Sequence, residues 1–505
     1  MIDVTETGDT RGRPPSLPAK PAAHQAAVAE LRAAYAAIPP GSPIRLAKRT
    51  SNLFRFTGGP DSRTGPGLDV SAFGRVLSVD PQSRIAVTGG MTTYEDLADA
   101  TLQHGLMPLV VPQLKTITIG GAVTGLGIES TSLRSGMPHE SVLEMEILTG
   151  DGRVVTAAPG NEHDALYRGF PNSYGTLGYA LSVTIELEPV TPFVHLRHFR
   201  FGSPEACMEA VARIAEDGSY QGHQADFVDG TSFGLDELYL TVGAFSEVAP
   251  WRSDYTRERI YYQSIRGPRE DFLTIRDYLW RWDTDWFWCS RPFGVQRPVI
   301  RRLWPRQYRR SDVYRKLVAL DRRHGLSATM NARRGVPPHE DVIQDVEIPV
   351  ERGAEFLRTF AAQVGMSPVW MCPLRLRGTG PGGRPPGAPR EAGPGGRPPG
   401  TPREASPRAE PPWPLYPLRP GQAYVNFGFW GTIPLPSGRA DGYHNRLVED
   451  LVTALGGHKG LYSTSFYPED DFWALYNGTA YAALKSCYDA SGRLAGLYDK
   501  CVRGR

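Results

Sequence analysis

The stretch Thr116–Gly136, TITIGGAVTGLGIESTSLRSG, gathers the residues best suited to holding a diphosphate. Glycine has no Cβ, so backbone N–H groups can come close to an anion. Gly120, Gly121, Gly125 and Gly127 supply that freedom, and Thr118, Thr124 and Ser130 add hydroxyl donors. Gly125-Leu126-Gly127-Ile128-Glu129-Ser130 imitates a dinucleotide fingerprint, with Glu146 about 20 residues on, where a Rossmann acid would stand. That fingerprint requires a strand before it and a helix after it. The chain continues instead as STSLRSGMPHES, where Gly136 and Pro138 oppose a helix, so the Rossmann reading is rejected.

Three further pieces surround this segment. Arg49-Thr50-Ser51-Asn52 comes after a strand-like IRLAK and offers polar groups to a phosphate. RIAVTGGMTTYEDL sets Gly89-Gly90 at a strand end before a helix that Thr92 or Thr93 would cap. Glu95 and Asp96 fall in its first turn and Gly105 at its end. NSYGTLGYALSVTIELEP places Gly175-Thr176-Leu177-Gly178 ahead of an alternating strand. Each is a common turn signal alone; their order and spacing carry the argument.

The elements that must position these groups suggest an α+β class. A chain of 505 residues is too long for one hydrophobic core. Residues 1–24 are polar and Pro-rich and read as a disordered tail. Residues 25–190 form the binding domain, opened by a helix over 24–38 and continued by short strands and Gly-rich turns. A substrate or cap domain spans 191–377. A low-complexity insertion at 378–413 carries the tandem repeat GPGGRPPGAPREA/GPGGRPPGTPREA, which reads as a disordered surface loop. Residues 414–505 complete the substrate site and pack on the binding domain. The five cysteines are scattered and suggest reduced thiols and no metal site. A net charge of +2 offers nothing to nucleic acid. With neither a signal peptide nor a run of about 18 apolar residues, a cytoplasmic protein is expected, peripheral at most on the inner face of the cell membrane.

The order strand–polar loop, VTGGMTTYEDL helix, TIGGAVTGLGIES and YGTLG resembles the FAD-binding (PCMH-type) domain of the vanillyl-alcohol-oxidase superfamily. GIESTSLRSG and LYSTSFYPEDDFWALYNGTAY are similar to the Δ24-sterol reductases, the seladin/diminuto group. The likeness runs from about Ile44 to the C-terminus. RLAKRTSNLFR and VPQLKTITIGGAVTGLGIES look closer to a bacterial branch that reduces methylene-branched fatty acyl chains in making tuberculostearic acid. The repeat insertion departs from the sterol reductases, as does the lack of their N-terminal spanning helix.

The resemblance implies FAD, with contacts from Ser51, Asn52, Gln113, Thr118, Gly120, Gly121, Thr124, Gly127, Ile128, Glu129, Ser130, Gly175, Thr176 and Gly178. Covalent members attach flavin through a His in the first loop and often a Cys in the second. Arg49–Arg55 has no His and Thr116–Gly136 no Cys, so the FAD is expected to be non-covalent. The implied reaction reduces a lipid C=C bond with NADPH as donor, coupled to a lipid methyltransferase that supplies the branched chain. Such a reaction needs a proton donor in the pocket. Asn426, His458, Tyr462 and Tyr467 are the candidates, each equally able to be a satisfied core residue. The alternatives are Δ24-reduction of a sterol or isoprenoid, oxidation of a sugar or alcohol, and a flavin carrier without catalysis. Trp280, Trp282, Trp286, Trp288 and Trp304, with seven arginines from Arg291 to Arg310, suit a membrane interface. They equally suit a folded wall with a solvated basic rim.

Overall fold

The computed structural model describes residues 17–48, 54, 67–324 and 335–377, and 411–504, with 322–324 described for the backbone alone. The loop with Ser51 and Asn52, and insertion residues 378–410, lie outside the described residues. The chain is α+β, built on two large antiparallel sheets.

After α1 (Ala22–Ala36), the first sheet holds β1 (Val76–Asp80), β2 (Ile85–Gly89), β3 (Leu106–Pro108), β4 (Val142–Leu148), β5 (Val154–Ala157) and β6 (Tyr179–Pro189). The order is β1-β2-β6-β4-β5, with β3 on the far end of β6. Residues 180–187 of β6 are all buried, because both faces of this central strand are covered. Between β2 and β3, α2 (Tyr94–Leu102) starts where Thr93 accepts from Asp96 N, with Glu95 and Asp96 in its first turn. The glycine segment forms a short helix, α3 (Ile119–Gly125), capped by Thr118.

Three residues after β6 the second sheet begins. Its strands are β7 (Phe193–Phe201), β8 (Phe227–Gly234), β9 (Glu237–Ser246), β10 (Glu270–Thr274), β11 (His339–Pro349), β12 (Val369–Arg375), β13 (Ala423–Pro434) and β14 (His458–Lys459). They are ordered β10-β7-β9-β8-β12-β13-β11-β14. Period-two alternation sends Val346, Ile348, Met371, Val425, Phe427 and Phe429 to one face. That face lies under α4 (Pro204–Asp217), α7 (Gly353–Gln363) and α8 (Tyr443–Ala454). The other face joins the core of the first half. C-terminal α9 (Gly478–Tyr488) returns to that half, where Lys485 Nζ donates to Thr176 O at 2.8 Å.

The Trp280–Arg310 segment folds as a wall and forms no belt of interfacial tryptophans. Trp280, Trp282, Trp286 and Trp288 are only 5%, 1%, 5% and 4% exposed. Arg301 is fully buried. Its guanidinium meets both oxygens of Asp285 (2.6 and 3.0 Å) and donates to the carbonyls of Tyr255, Arg257 and Arg259. It braces α5 (Pro298–Leu303). Arg309 is also buried on backbone carbonyls, and Arg310 pairs with Glu95 at 2.8 Å near the start of α6 (Ser311–His324). These three arginines brace the chain and are not available to headgroups. Among the described residues no helix is long and apolar enough to cross a membrane.

Candidate active site

The residues of the glycine segment differ in what they can offer a ligand. Gly120 is a packing residue: its amide donates to Gly90 O at 2.9 Å, and a Cβ there would stand 2.6 Å from that oxygen. Thr118 Oγ1 accepts from Gly121 N (3.2 Å), and Thr124 Oγ1 donates to Gly120 O (2.8 Å). Ser130 Oγ accepts from Tyr278 OH at 2.9 Å. Gly120 and Thr124 therefore leave the expected set of phosphate donors, because their hydrogens already serve the chain. At the exit of α3, Leu126 turns the backbone at φ 62°. Among the described residues no acceptor takes the amides of Leu126, Gly127 or Ile128, and all three residues are half-buried.

Behind this exit, Gln113 is 3% exposed with neither side-chain amide atom partnered. Glu129 accepts Gln113 N through Oε1 at 2.8 Å, while its Oε2 has no partner. Burial pushes the Glu129 carboxyl well above its usual range. Arg281 stands near it, buried and ion-paired with Asp229 at 2.6 Å. Buried polar groups are rarely left unsatisfied. Free amides, an orphaned carboxamide and a nearby cation fit a polyanionic, hydrogen-bonding cofactor.

Gly175, Thr176 and Gly178 make a locked turn. Thr176 is fully buried with its hydroxyl on Ser173 O (2.8 Å), and Gly178 would bring a Cβ within 2.6 Å of Ile147. Tyr174 OH donates to Gly125 O at 2.6 Å, so the turn buttresses the glycine segment. From the first loop, Phe54 N donates to Tyr462 O (2.9 Å) and Phe54 O accepts from Thr464 N (3.2 Å). That carries the loop's end to the candidate catalytic groups.

The face of the second sheet that packs on the first half of the chain brings those groups together. Cys372, Asn426, Glu347 and His458 are register neighbours across β12, β13, β11 and β14. Asn426 Nδ2 donates to Asp345 Oδ1 at 2.9 Å, and its own Oδ1 is unpartnered. Trp430 Nε1 donates to Tyr462 OH at 2.8 Å, and that hydroxyl is hydrogen-bonded to Asp345. Gly428 makes room, since a Cβ there would stand 2.5 Å from Asp345 Oδ1. Burial pushes Asp345 up to about 6, against the hydrogen bonds from Asn426 and Tyr462. Glu347 is 1% exposed, and neither carboxyl oxygen has a partner. Burial, with the charge of Asp345 adding, pushes it well up. Burial, with Arg419 adding, lowers His458 to about 4, so it is a neutral imidazole near pH 7 and a weak acid.

Tyr467 is not with the other three candidates. Its neighbours are Glu449, Thr453 and Tyr476, the first two on α8. Sequence reasoning missed Asp345, Glu347 and Arg281. The signal for the first two was present: QDVEIP puts two acids two apart on one face of an alternating strand.

Aromatic rings pack over the same face. Ring centroids of Phe287 and Trp430 lie 4.4 Å apart, Trp288 and Trp430 5.2 Å, and Phe287 and Trp370 5.5 Å. Trp286 and Phe287 hold left-handed backbone angles (φ 47° and 58°), a strain that functional sites tolerate when packing fixes it.

A sequence model of the FAD binding domain matches residues 15–158. The chain carries an FAD-binding domain. Over most of its length it is similar to the Δ24-sterol reductase of Homo sapiens, 24% identical over 454 residues, covering 85% of this chain and 76% of that one. The Δ24-sterol reductase of Arabidopsis thaliana is 24% identical over 464 residues, 87% of this chain and 77% of the other. Cytokinin dehydrogenase 2 of Oryza sativa subsp. japonica is 26% identical over 193 residues, covering 35% and 34% of the two chains. Together with that domain, these likenesses make the chain an FAD-dependent oxidoreductase.

Proposed function

We propose that the chain reduces an isolated C=C bond in a lipid tail, converting a 10-methylene fatty acyl chain on a phospholipid to its 10-methyl form with NADPH as reductant. The observation that carries this reading is two acids, Asp345 and Glu347, on one strand face against the aromatic core, with neither carboxyl oxygen of Glu347 partnered. An isolated alkene has no carbonyl to polarise it, so an acid must act on carbon itself. Asp345 and Glu347 lie two apart on one strand face, and burial raises both carboxyls, with the charge of Asp345 adding at Glu347. A proton passed to the exocyclic methylene carbon forms the new methyl group and leaves positive charge at the branched carbon. The ring faces of Trp430, Phe287 and Trp288 suit such a charge when water is excluded. Tyr462, fixed by Trp430, holds Asp345 through its hydroxyl.

Non-covalent FAD would be held by the Leu126–Ile128 amides, Gln113 and Glu129, with Ser51 and Asn52 from the first loop. When bound, its chemistry is hydride delivery to carbon. The hydride and the proton together saturate the bond, and NADPH leaves as NADP+. The sterol-reductase likeness supports C=C reduction over alcohol oxidation. The test is incubation of enzyme and NADPH with liposomes containing 10-methylene stearoyl lipid, with a Δ24-sterol and a sugar alcohol in parallel. Mass spectrometry should find the 10-methyl product. Turnover of the sterol or the sugar alcohol instead would give the function to that substrate.

A further inference from the structure

The helix α5, Pro298–Leu303, is inverted relative to an ordinary surface helix. Its charged Arg301 points inward and is 1% exposed, while Val299 and Leu303 point outward at 72% and 78%. Burying the arginine fixes the helix from below through Asp285 and the carbonyls of the 255–259 loop. The outward face is thus presented rigidly and does not collapse onto the protein. Tyr308, 49% exposed in the next turn, extends the apolar patch. Arg297, Arg302 and Arg306 surround it and are exposed, and no Asp or Glu occurs from Trp286 to Ser311. The neighbouring loop adds exposed Arg257 and Arg259 against Glu258 and the half-buried Asp254.

We infer that this knuckle docks the protein on an anionic lipid surface, with Val299, Leu303 and Tyr308 entering the interface and Arg297, Arg302 and Arg306 meeting headgroup phosphates. Apolar side chains ringed by cations match the interfacial level of a bilayer, where rings and hydrocarbon sit beside phosphate. The occupant is identified by charge: a bare apolar partner would leave three arginines without counter-charge. Beneath the knuckle, Trp286, Val295 and Tyr314 form a small core against which Phe54 packs, and the Phe54 ring lies 5.9 Å from that of Tyr462. The docked face therefore reaches Tyr462 through Phe54. Exposure and charge alone support this docking, which does not depend on which double bond is reduced.

The experiment is co-sedimentation of the full flavin-loaded chain with vesicles of phosphatidylcholine, with and without phosphatidylglycerol, measured without turnover. The parent should bind the anionic vesicles, more weakly as salt rises. Val299→Asp with Leu303→Asp should reduce binding at least about tenfold, since both hydrocarbon burial and charge attraction are lost. Arg302→Gln with Arg306→Gln should reduce binding to anionic vesicles and leave neutral ones unchanged. Flavin content and circular dichroism report that each variant is folded. Full binding by the Asp variant, or no vesicle binding by the parent, overturns the inference. Concentration-dependent self-association abolished by Leu303→Asp, without vesicle binding, would assign the patch to a second copy of the chain.

Discussion

Asp345→Asn separates the carboxyl's charge from its shape. Asp345 Oδ1 accepts from Asn426 Nδ2 at 2.9 Å, and an asparagine can keep an acceptor there. Burial moves the carboxyl from 3.8 to about 6 in the fold, so ionising it in place costs on the order of 3 kcal/mol. The residue as a whole is half-buried, which narrows the effect to about 1–3 kcal/mol. The folded state binds this proton more tightly than the unfolded chain does. Its contribution is therefore complete below about pH 4 and is lost as pH rises through about 6. The variant has no such loss. Urea unfolding from about pH 4.5 to about pH 7.5 should show Asp345→Asn gaining about 1–3 kcal/mol on the parent as pH rises, then levelling. A difference that stays flat, or that falls with pH, would refute a proton held at this site. Turnover should fall in the same variant, by about 10²–10⁴ if Asp345 passes the proton itself.

Arg301→Gln should cost about 3–5 kcal/mol in urea, because Asp285 is left buried without its cation. Exposed Arg302→Gln should change stability by no more than about 0.5 kcal/mol. Gly90→Ala should prevent folding, since its Cβ would lie 1.9 Å from Ala180 O. A Cβ at Gly121 meets only Thr118 Oγ1, at 2.9 Å, so Gly121→Val adds its bulk where the backbone is otherwise open. It should stay folded yet lose the FAD that acid precipitation releases from the parent, and full flavin in this variant would move the pyrophosphate elsewhere. Deleting Gly380–Ala405 should leave melting temperature and flavin content nearly unchanged, because loop closure depends weakly on length; loss of either would show that the repeat packs on the body.

Local chemistry made part of this fold legible in the sequence. Thr93, Glu95 and Asp96 mark the start of α2, and the glycine density locates the segment around α3. What stayed hidden depends on contacts between distant residues. Gly120 reads as a ligand-facing glycine until Gly90, thirty positions earlier, takes its amide. Asp345 and Glu347 alternate with apolar residues, and such acids read as the solvent face of a strand. The first half of the chain covers that face, and this changes a solvated row into a site. Arg301 reads as one of many surface arginines, because Asp285 and the carbonyls that bury it become its neighbours only in the fold. Tyr467 and Tyr462 are five apart in sequence, yet Tyr462 meets Asp345 and Trp430 while Tyr467 meets Glu449 and Tyr476.

Isotope placement tests the central claim most directly. Turnover of 10-methylene stearoyl lipid with NADPH in D2O should put one deuterium into the new methyl group, because the Asp345–Glu347 pair exchanges its proton with solvent and passes it to the exocyclic carbon. Glu347→Gln combined with Asp345→Asn should abolish that product while FAD content stays intact. A methyl group free of deuterium, or full turnover by the double variant, would contradict the Asp345–Glu347 pair as the source of the proton.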